Sequence, residues 1–170
     1  MSDTHAIAVR PYDPANDSDV LWQLKSQFEL TLGSETGGPG KAAVYAAKLD
    51  DTYQTRYLNW VEWCTASEDC VLLATVDEEA VAYGFLLPEQ LAMIWDAAVL
   101  NELYVEPAYR GSGVADTLMA RLVDHAEGQS LPLDRLILDV DPANDRAQAF
   151  YDRHGFAPWG TLIVRSLAHD

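Results

Sequence analysis

The 170 residues and 18.8 kDa suit one domain, and 49% apolar residues suffice for a core, which excludes a chain disordered throughout. Eleven basic against twenty-seven acidic residues give a net charge of −16, a surface that repels phosphate backbones and excludes general nucleic-acid binding. No apolar run approaches the ~20 residues of a membrane span, and Cys64 and Cys70 lack metal-ligand spacing, so neither a membrane nor a metal partner is expected.

The opening MSDTHAIAVRPYD contains neither a basic nor an apolar targeting segment, so a cytoplasmic protein with free thiols is expected. The acid is mostly aspartate and lysine is scarce: 17 Asp, 10 Glu, 3 Lys and 8 Arg. Hydrated carboxylates stay solvated in concentrated salt, so a halophilic source is one reading of this acidic protein. The other is an active site that attracts cationic substrates.

Residues 6–12 alternate as a short strand, with Ile7 and Val9 on one side. Asp17 or Ser18 caps a helix to about Leu32, and the glycines at 33, 37, 38 and 40 break the chain. A second helix is expected from Lys41 to about Cys64. The runs 70–76 and 80–87, separated by 77–79, read as a hairpin, and a third strand covers about 96–105. The glycine-containing stretch 110–113 then leads into a helix through Ala126. Its Ala115, Leu118, Met119, Leu122 and Ala126 form one apolar stripe. A strand at 135–140, a helix from Asn144 to His154 stopped by Gly155, and a final strand at 159–167 complete the pattern. The order is that of a mixed α+β layer, without repeats or linkers.

The stretch VLNELYVEPAYRGSGVAD at 99–116 carries the first chemistry. Backbone N–H groups from Arg110 to Ala115, ahead of a helix N-terminus, can converge on a phosphate. Glycine at 111 and 113 removes the Cβ that would hold the phosphate away. Neither a Walker loop nor a dinucleotide fingerprint fits, since no Lys-Ser or Lys-Thr follows and Asp116 stands where a third small residue belongs. An ordinary strand-to-helix turn is the alternative.

The stretch LDVDPANDRAQAFYDRHGF at 138–156 adds a strand, a loop, a helix and a Gly-Phe stop. Together the two segments resemble the GNAT N-acetyltransferase superfamily. The family's [RQ]-x-x-G-x-[GA] loop is matched by Arg110, Gly111, Ser112, Gly113, Val114 and Ala115. Its N-x-x-A-x-x-x-Y-x-x-x-G-F motif is matched by Asn144, Ala147, Tyr151, Gly155 and Phe156. Residues 96–160 carry the likeness; the first 70 share only a strand-helix-helix layout. The resemblance implies a single acyl-CoA N-acyltransferase domain over 1–170. Its central, mostly antiparallel sheet would be flanked by about four helices, with those at 14–64 shaping the acceptor site. It also implies acetyl-CoA as cosubstrate and a primary amine on a small molecule or peptide as acceptor. Many members of the family are dimers, which makes a homodimer the expected assembly.

Carried over residue by residue, the loop 110–115 with Asp116 at its edge would bind the pyrophosphate. The free backbone of Leu103, Tyr104 and Val105 would bond the pantetheine arm. Asn144 would seat the cofactor or cap the helix after it, and both roles can coexist. Tyr151 would donate a proton to the leaving thiolate, or simply pack beside Phe150. A base is needed because an alkyl amine with pKa near ~10.4 is neutral in only about one molecule in 10³ at neutral pH. Glu102, which by alternation shares a face with Leu100 and Tyr104, is the favoured carboxylate, and Asp139 is the alternative.

Tyr53, Tyr57 and Trp60, with Tyr45 and Trp63 nearby, form either a cage for a cationic amine or part of the core. The break at 33–40 is either a lid or a plain loop. His5, His125, His154 and His169 show no partner spacing, and Met93 and Met119 read as packing residues. The function expected is an acetyl-CoA-dependent N-acetyltransferase without a covalent acyl carrier. The alternatives are a non-catalytic acyl-CoA sensor on the same fold, and acyl transfer to a hydroxyl or from a longer acyl chain.

Overall fold

Five strands form one sheet in the order β1-β2-β3-β4-β5 in a computed structural model that describes residues 6–36 and 38–168. Strands β1 (Ile7–Pro11), β2 (Val71–Val76), β3 (Glu79–Leu86) and β4 (Ala98–Val105) are antiparallel neighbours, and β5 (Leu136–Ile137) joins β4 in parallel. The hairpin between β2 and β3 closes on Asp77 and Glu78, both at positive φ (51° and 72°), the conformation of a two-residue turn that follows the strand twist. Strand β2 is buried along its whole length, as a central strand covered on both faces must be.

Helices α1 (Ser18–Glu35) and α3 (Asp51–Thr65) cover one face of the sheet and α4 (Val114–Glu127) covers the other. On the first face Phe28 meets Tyr83 and Trp60 meets Phe85, with ring centroids 6.3 and 5.0 Å apart. On the second, Gly84 leaves room for Leu122, whose side chain occupies the place a Cβ would take. The expected stripe of α4 is present with Val114 as its buried first member and Ala115 half-buried.

The sequence-based expectations are corrected at several points. Helix α1 passes through Gly33 and Ser34 to Glu35. Gly33 is a packing glycine, since a Cβ would stand 3.0 Å from that of Tyr45 in α2 (Lys41–Lys48). The second helix is two helices, because the Asp50 carboxylate accepts from the Tyr53 amide at 2.8 Å and starts α3 afresh. Five α-helices, the last α5 at Asp145–Arg153, thus occur among the described residues, in keeping with the about four expected around the sheet. Asp17 precedes α1 but binds the Arg10 guanidinium (2.6 and 2.9 Å) and the Asp13 amide rather than the helix amides. The strand expected at 135–140 has only two paired residues. The final strand at 159–167 is absent: β5 is too short an edge to extend, and Ile163 and Val164 are 90% and 95% exposed. Met93 is exposed rather than packed, whereas Met119 is in the core. His5, His169 and Gly37 of the expected lid lie outside the described residues.

Candidate active site

The cleft begins where the sheet comes apart. Pairing between β4 and β5 ends at Val99–Ile137, so β4 from Leu100 onward has a partner only on its β3 side. There Leu103, Tyr104 and Val105 pair with Gly84, Tyr83 and Ala82, leaving their other edge open for an extended ligand. A bulge at Asn101 marks the start of this edge: Phe85 pairs with Glu102 but Leu86 pairs with Leu100. Glu102 therefore shares a face with Tyr104, as expected, but Leu100 is thrown out of phase onto the opposite face.

Just beyond β4, a 3₁₀ turn at Pro107–Tyr109 leads into the glycine loop. Gly111 and Gly113 have φ of 77° and 91°, the left-handed region that a glycine enters without steric cost. A Cβ at either would meet nothing within 4 Å, so the loop faces open space. Not all the expected amides are free: those of Arg110 and Ser112 donate to the Pro107 and Tyr109 carbonyls at 3.3 and 3.4 Å. The amides of Val114, Ala115 and Asp116 belong to the first turn of α4, where no intrahelical acceptor exists, which leaves them free to meet an anion. The Arg110 side chain turns back, donating from Nε to the Val105 carbonyl (3.0 Å) and lying over the Tyr104 ring. Burial, with Arg146 nearby, holds its guanidinium below the ordinary value.

The second motif is a helix with both ends capped. Asn144 Oδ1 accepts from the Ala147 amide at 3.1 Å and starts α5. At the other end Gly155, φ 86°, donates to the Asp152 carbonyl and Phe156 to the Tyr151 carbonyl, while Phe156 packs on the Tyr151 ring at 5.6 Å. The Gly-Phe pair thus fixes the ring of Tyr151. Burial pushes that phenol up to about 12. Tyr151 lines a cavity of about 1130 Å³ together with Leu136, Ile137, Asp139 and Phe156. The first turn of α4 is tied to α5 by Asp116, whose carboxylate takes Arg153 at 2.6 Å and His154 at 2.7 Å. Those two hydrogen bonds hold it below the usual aspartate range.

The two candidate bases have opposite surroundings. Glu102 is 4% exposed, and its Oε2 accepts from Tyr83 (2.8 Å) and Tyr57 (3.3 Å) and pairs with Lys25 Nζ (3.0 Å). Among the described residues its Oε1 meets only Asn101 Nδ2, at 3.5 Å. Desolvation, reinforced by the Glu102 charge, raises both phenols well above their ordinary value. Asp139 is exposed beyond the end of β5, and no described residue bonds it.

The aromatic stripe is divided between core and surface. Tyr57 is buried and stacks with Tyr53, whereas Trp60 and Trp63 are 37% and 50% exposed. The cations over these rings are the chain's own: Lys25 over Tyr57, and Lys48 over Tyr45 and Tyr53. Lys25, Glu29 and Lys48 were not singled out from the sequence. The signal was legible: Lys25 and Glu29 sit on the stripe of α1 that also carries Leu21, Leu24 and Phe28. Both cysteines are buried, with thiols pushed up to about 11 (Cys64) and about 12 (Cys70). A second hollow of about 1000 Å³ lies at the far end of α4, where His125 and Gln129 bond Glu68. No cluster of metal-binding side chains occurs among the described residues, and none of their helices is long and apolar enough to cross a membrane.

This geometry has counterparts in known proteins. The fold is similar to that of an N-acetyltransferase from Thermoplasma acidophilum in complex with coenzyme A, with a TM-score of 0.68, 18% identity and 92% of each chain covered. It is also similar to an aminoglycoside N-acetyltransferase in complex with a bisubstrate analogue, with TM-score 0.65, 16% identity, and 96% of this chain and 99% of that one covered. In sequence, the chain is 35% identical over 112 residues to an uncharacterised N-acetyltransferase of Mycobacterium tuberculosis, covering 65% of this chain and 67% of that one. A mycothiol acetyltransferase of Nocardiopsis dassonvillei is 28% identical over 127 residues, 72% of this chain but only 36% of the relative. Residues 41–156 match the model of the acetyltransferase (GNAT) family. The chain belongs to that family, and it is an acyltransferase.

Proposed function

We propose that the protein moves the acetyl group of acetyl-CoA to a primary amine, on a small molecule or a protein N-terminus, by direct attack on the thioester. The observation that carries this reading is the free edge of β4 running straight into the glycine loop at the start of α4. An extended arm bonded along that edge brings its pyrophosphate to the amides of Val114, Ala115 and Asp116. The structural neighbours that hold coenzyme A or a bisubstrate analogue support acetyl-CoA as donor and an amine as acceptor. The helices before β2 would shape the acceptor site.

Glu102 is the base in this reading. Its Oε2 is clamped and its Oε1 is not, so Oε1, directly or through a water, accepts the proton of the incoming ammonium. The amine then attacks the thioester carbonyl, and the tetrahedral intermediate collapses as Tyr151 protonates the departing thiolate, the second proton lost by the nitrogen restoring the Tyr151 phenol through solvent. A phenol pushed up to about 12 stays protonated and able to donate across the physiological range. The buried thiols of Cys64 and Cys70 supply no thiolate to carry the acetyl group, in keeping with direct transfer.

The test is calorimetric titration of acetyl-CoA, in dilute buffer and in molar KCl, followed by a thiol-release assay with a panel of amines. One site per chain and amine-dependent thiol release are expected. Binding without thiol release from any amine would make the protein a sensor, and no binding by the folded protein would reduce the glycine loop to a structural turn.

A further inference from the structure

We infer that Lys25 is a positioning residue for acetyl transfer: it clamps one oxygen of Glu102 and so aims the other at the acceptor. This rests on the reading of Glu102 as the base. Lys25 lies on the buried face of α1, one turn from Leu21 and beside Leu24, where an ammonium is costly unless paired. It is 4% exposed, and it reaches Glu102 Oε2 at 3.0 Å and Glu29 Oε1 by a short contact. An ammonium shared between two carboxylates would serve each only in part. Lys48 of α2 corrects the count, binding Glu29 Oε2 at 2.6 Å, so the cluster holds two carboxylates and two ammonium groups.

The other side chains that bond Glu102 Oε2 come from α3 and β3 and are phenols, Tyr57 and Tyr83, both donating to that oxygen. The three contacts hold the carboxylate plane, and Lys25 is the only one that carries charge. Burial works against the Lys25 charge, but Glu102 and Glu29 outweigh it and raise the ammonium above its ordinary value. Lys25 is therefore charged while Glu102 is ionised, the state in which the base awaits the amine.

The experiment measures kcat and KM against pH for the wild type, Lys25→Met, Lys25→Arg, Glu29→Gln and Glu102→Gln, with acetyl-CoA titration on each. Lys25→Met should lower kcat by about 10- to 100-fold near neutral pH. Its acid limb should move to higher pH, because the ionised base has lost its neighbour. Acetyl-CoA affinity should stay within about twofold, and Lys25→Arg should recover most of the loss. Glu29→Gln should move the acid limb the other way, since more of the Lys25 charge then falls to Glu102. If Lys25→Met fails to fold, Glu29→Gln and the Lys25→Met/Glu29→Gln double variant carry the test. An acid limb that stays put in these folded variants, while Glu102→Gln abolishes turnover, overturns the positioning role. Undiminished turnover in Glu102→Gln overturns the base itself.

Discussion

The two candidate bases, Glu102 in β4 and Asp139 just past β5, sit in opposite surroundings. Glu102, on the face covered by α1 and α3, is buried and held by two phenols and an ammonium through one oxygen. Asp139, past the end of β5, stands in water with no bond to a described residue. A base aimed in advance spends no freedom when the amine arrives, whereas a solvated carboxylate must be desolvated and oriented in each turnover. Asp139 keeps one advantage, since it and Tyr151 line the same cavity. On the proposed reading burial alone does not disqualify a carboxylate as the base: what matters is whether one oxygen remains uncommitted.

The largest effect should come from neutralising each carboxylate in turn. Glu102→Gln is expected to lower kcat by about 10²- to 10⁴-fold, the usual worth of a general base. Acetyl-CoA affinity, measured calorimetrically, should be unchanged, and Asp139→Asn should remain within about twofold of wild type. The reverse pattern would transfer the role to Asp139 and leave the Glu102 cluster a structural feature. Next in size is Tyr151→Phe, which should lower kcat by about 10- to 100-fold. Because that phenol titrates near 12, the loss should be the same at every pH from 6 to 10. A variant that reshaped the alkaline limb would show that the phenol ionises within the working range.

A smaller effect tests the cofactor side, which both candidate bases share. Gly113→Val puts a β-branched side chain at φ 91°, with its Cβ in the open space before the α4 amides. The expected result is at least about tenfold weaker acetyl-CoA binding, with a stability loss of about 1–2 kcal/mol from the left-handed backbone. Thermal melting and calorimetry on the same sample separate the two. Retained affinity would mean that the pyrophosphate does not approach this residue.

Much of this arrangement was legible in the residues. Strands β1 to β4 follow from alternation and turn chemistry, and α5 from a motif whose Asn144 and Gly155-Phe156 ends are helix caps by their own physics. Other features depended on partners distant in the chain. Gly33 reads as a breaker, yet it lies inside α1 because Tyr45 needs the space. The bulge at Asn101 leaves no mark on β4 itself, since only the pairing to β3 reveals the extra residue. The stretch 159–167 has the composition of a strand but no ladder to join. Lys25 and Glu29 stood in plain view on an apolar helix stripe, where a charged pair signals a buried partner. Naming that partner as Glu102 required the fold.

The smallest expected effect lies between the two motifs, where Arg153 and His154 of α5 meet Asp116 of α4. The Arg153 and Asp116 side chains are 60% and 44% exposed, so solvent screens the pair, and Arg153→Met should cost less than about 1 kcal/mol. Its pH dependence has a definite sign. Asp116 is held below its ordinary value of 3.8, first by the Arg153 hydrogen bond and then by that of His154. A depressed carboxylate contributes its stability fully above the ordinary value and loses it as pH falls through the lowered one. The Arg153→Met difference in melting temperature should therefore be constant at neutral pH and shrink below about pH 4. The pair also joins the start of the glycine-loop helix to the helix bearing Tyr151, so a second readout is available. If the tie aligns the pyrophosphate site with the acid, Arg153→Met lowers kcat by more than its stability cost implies while leaving acetyl-CoA affinity intact. If kcat is unchanged, the capped ends of α5 alone hold Tyr151 in place.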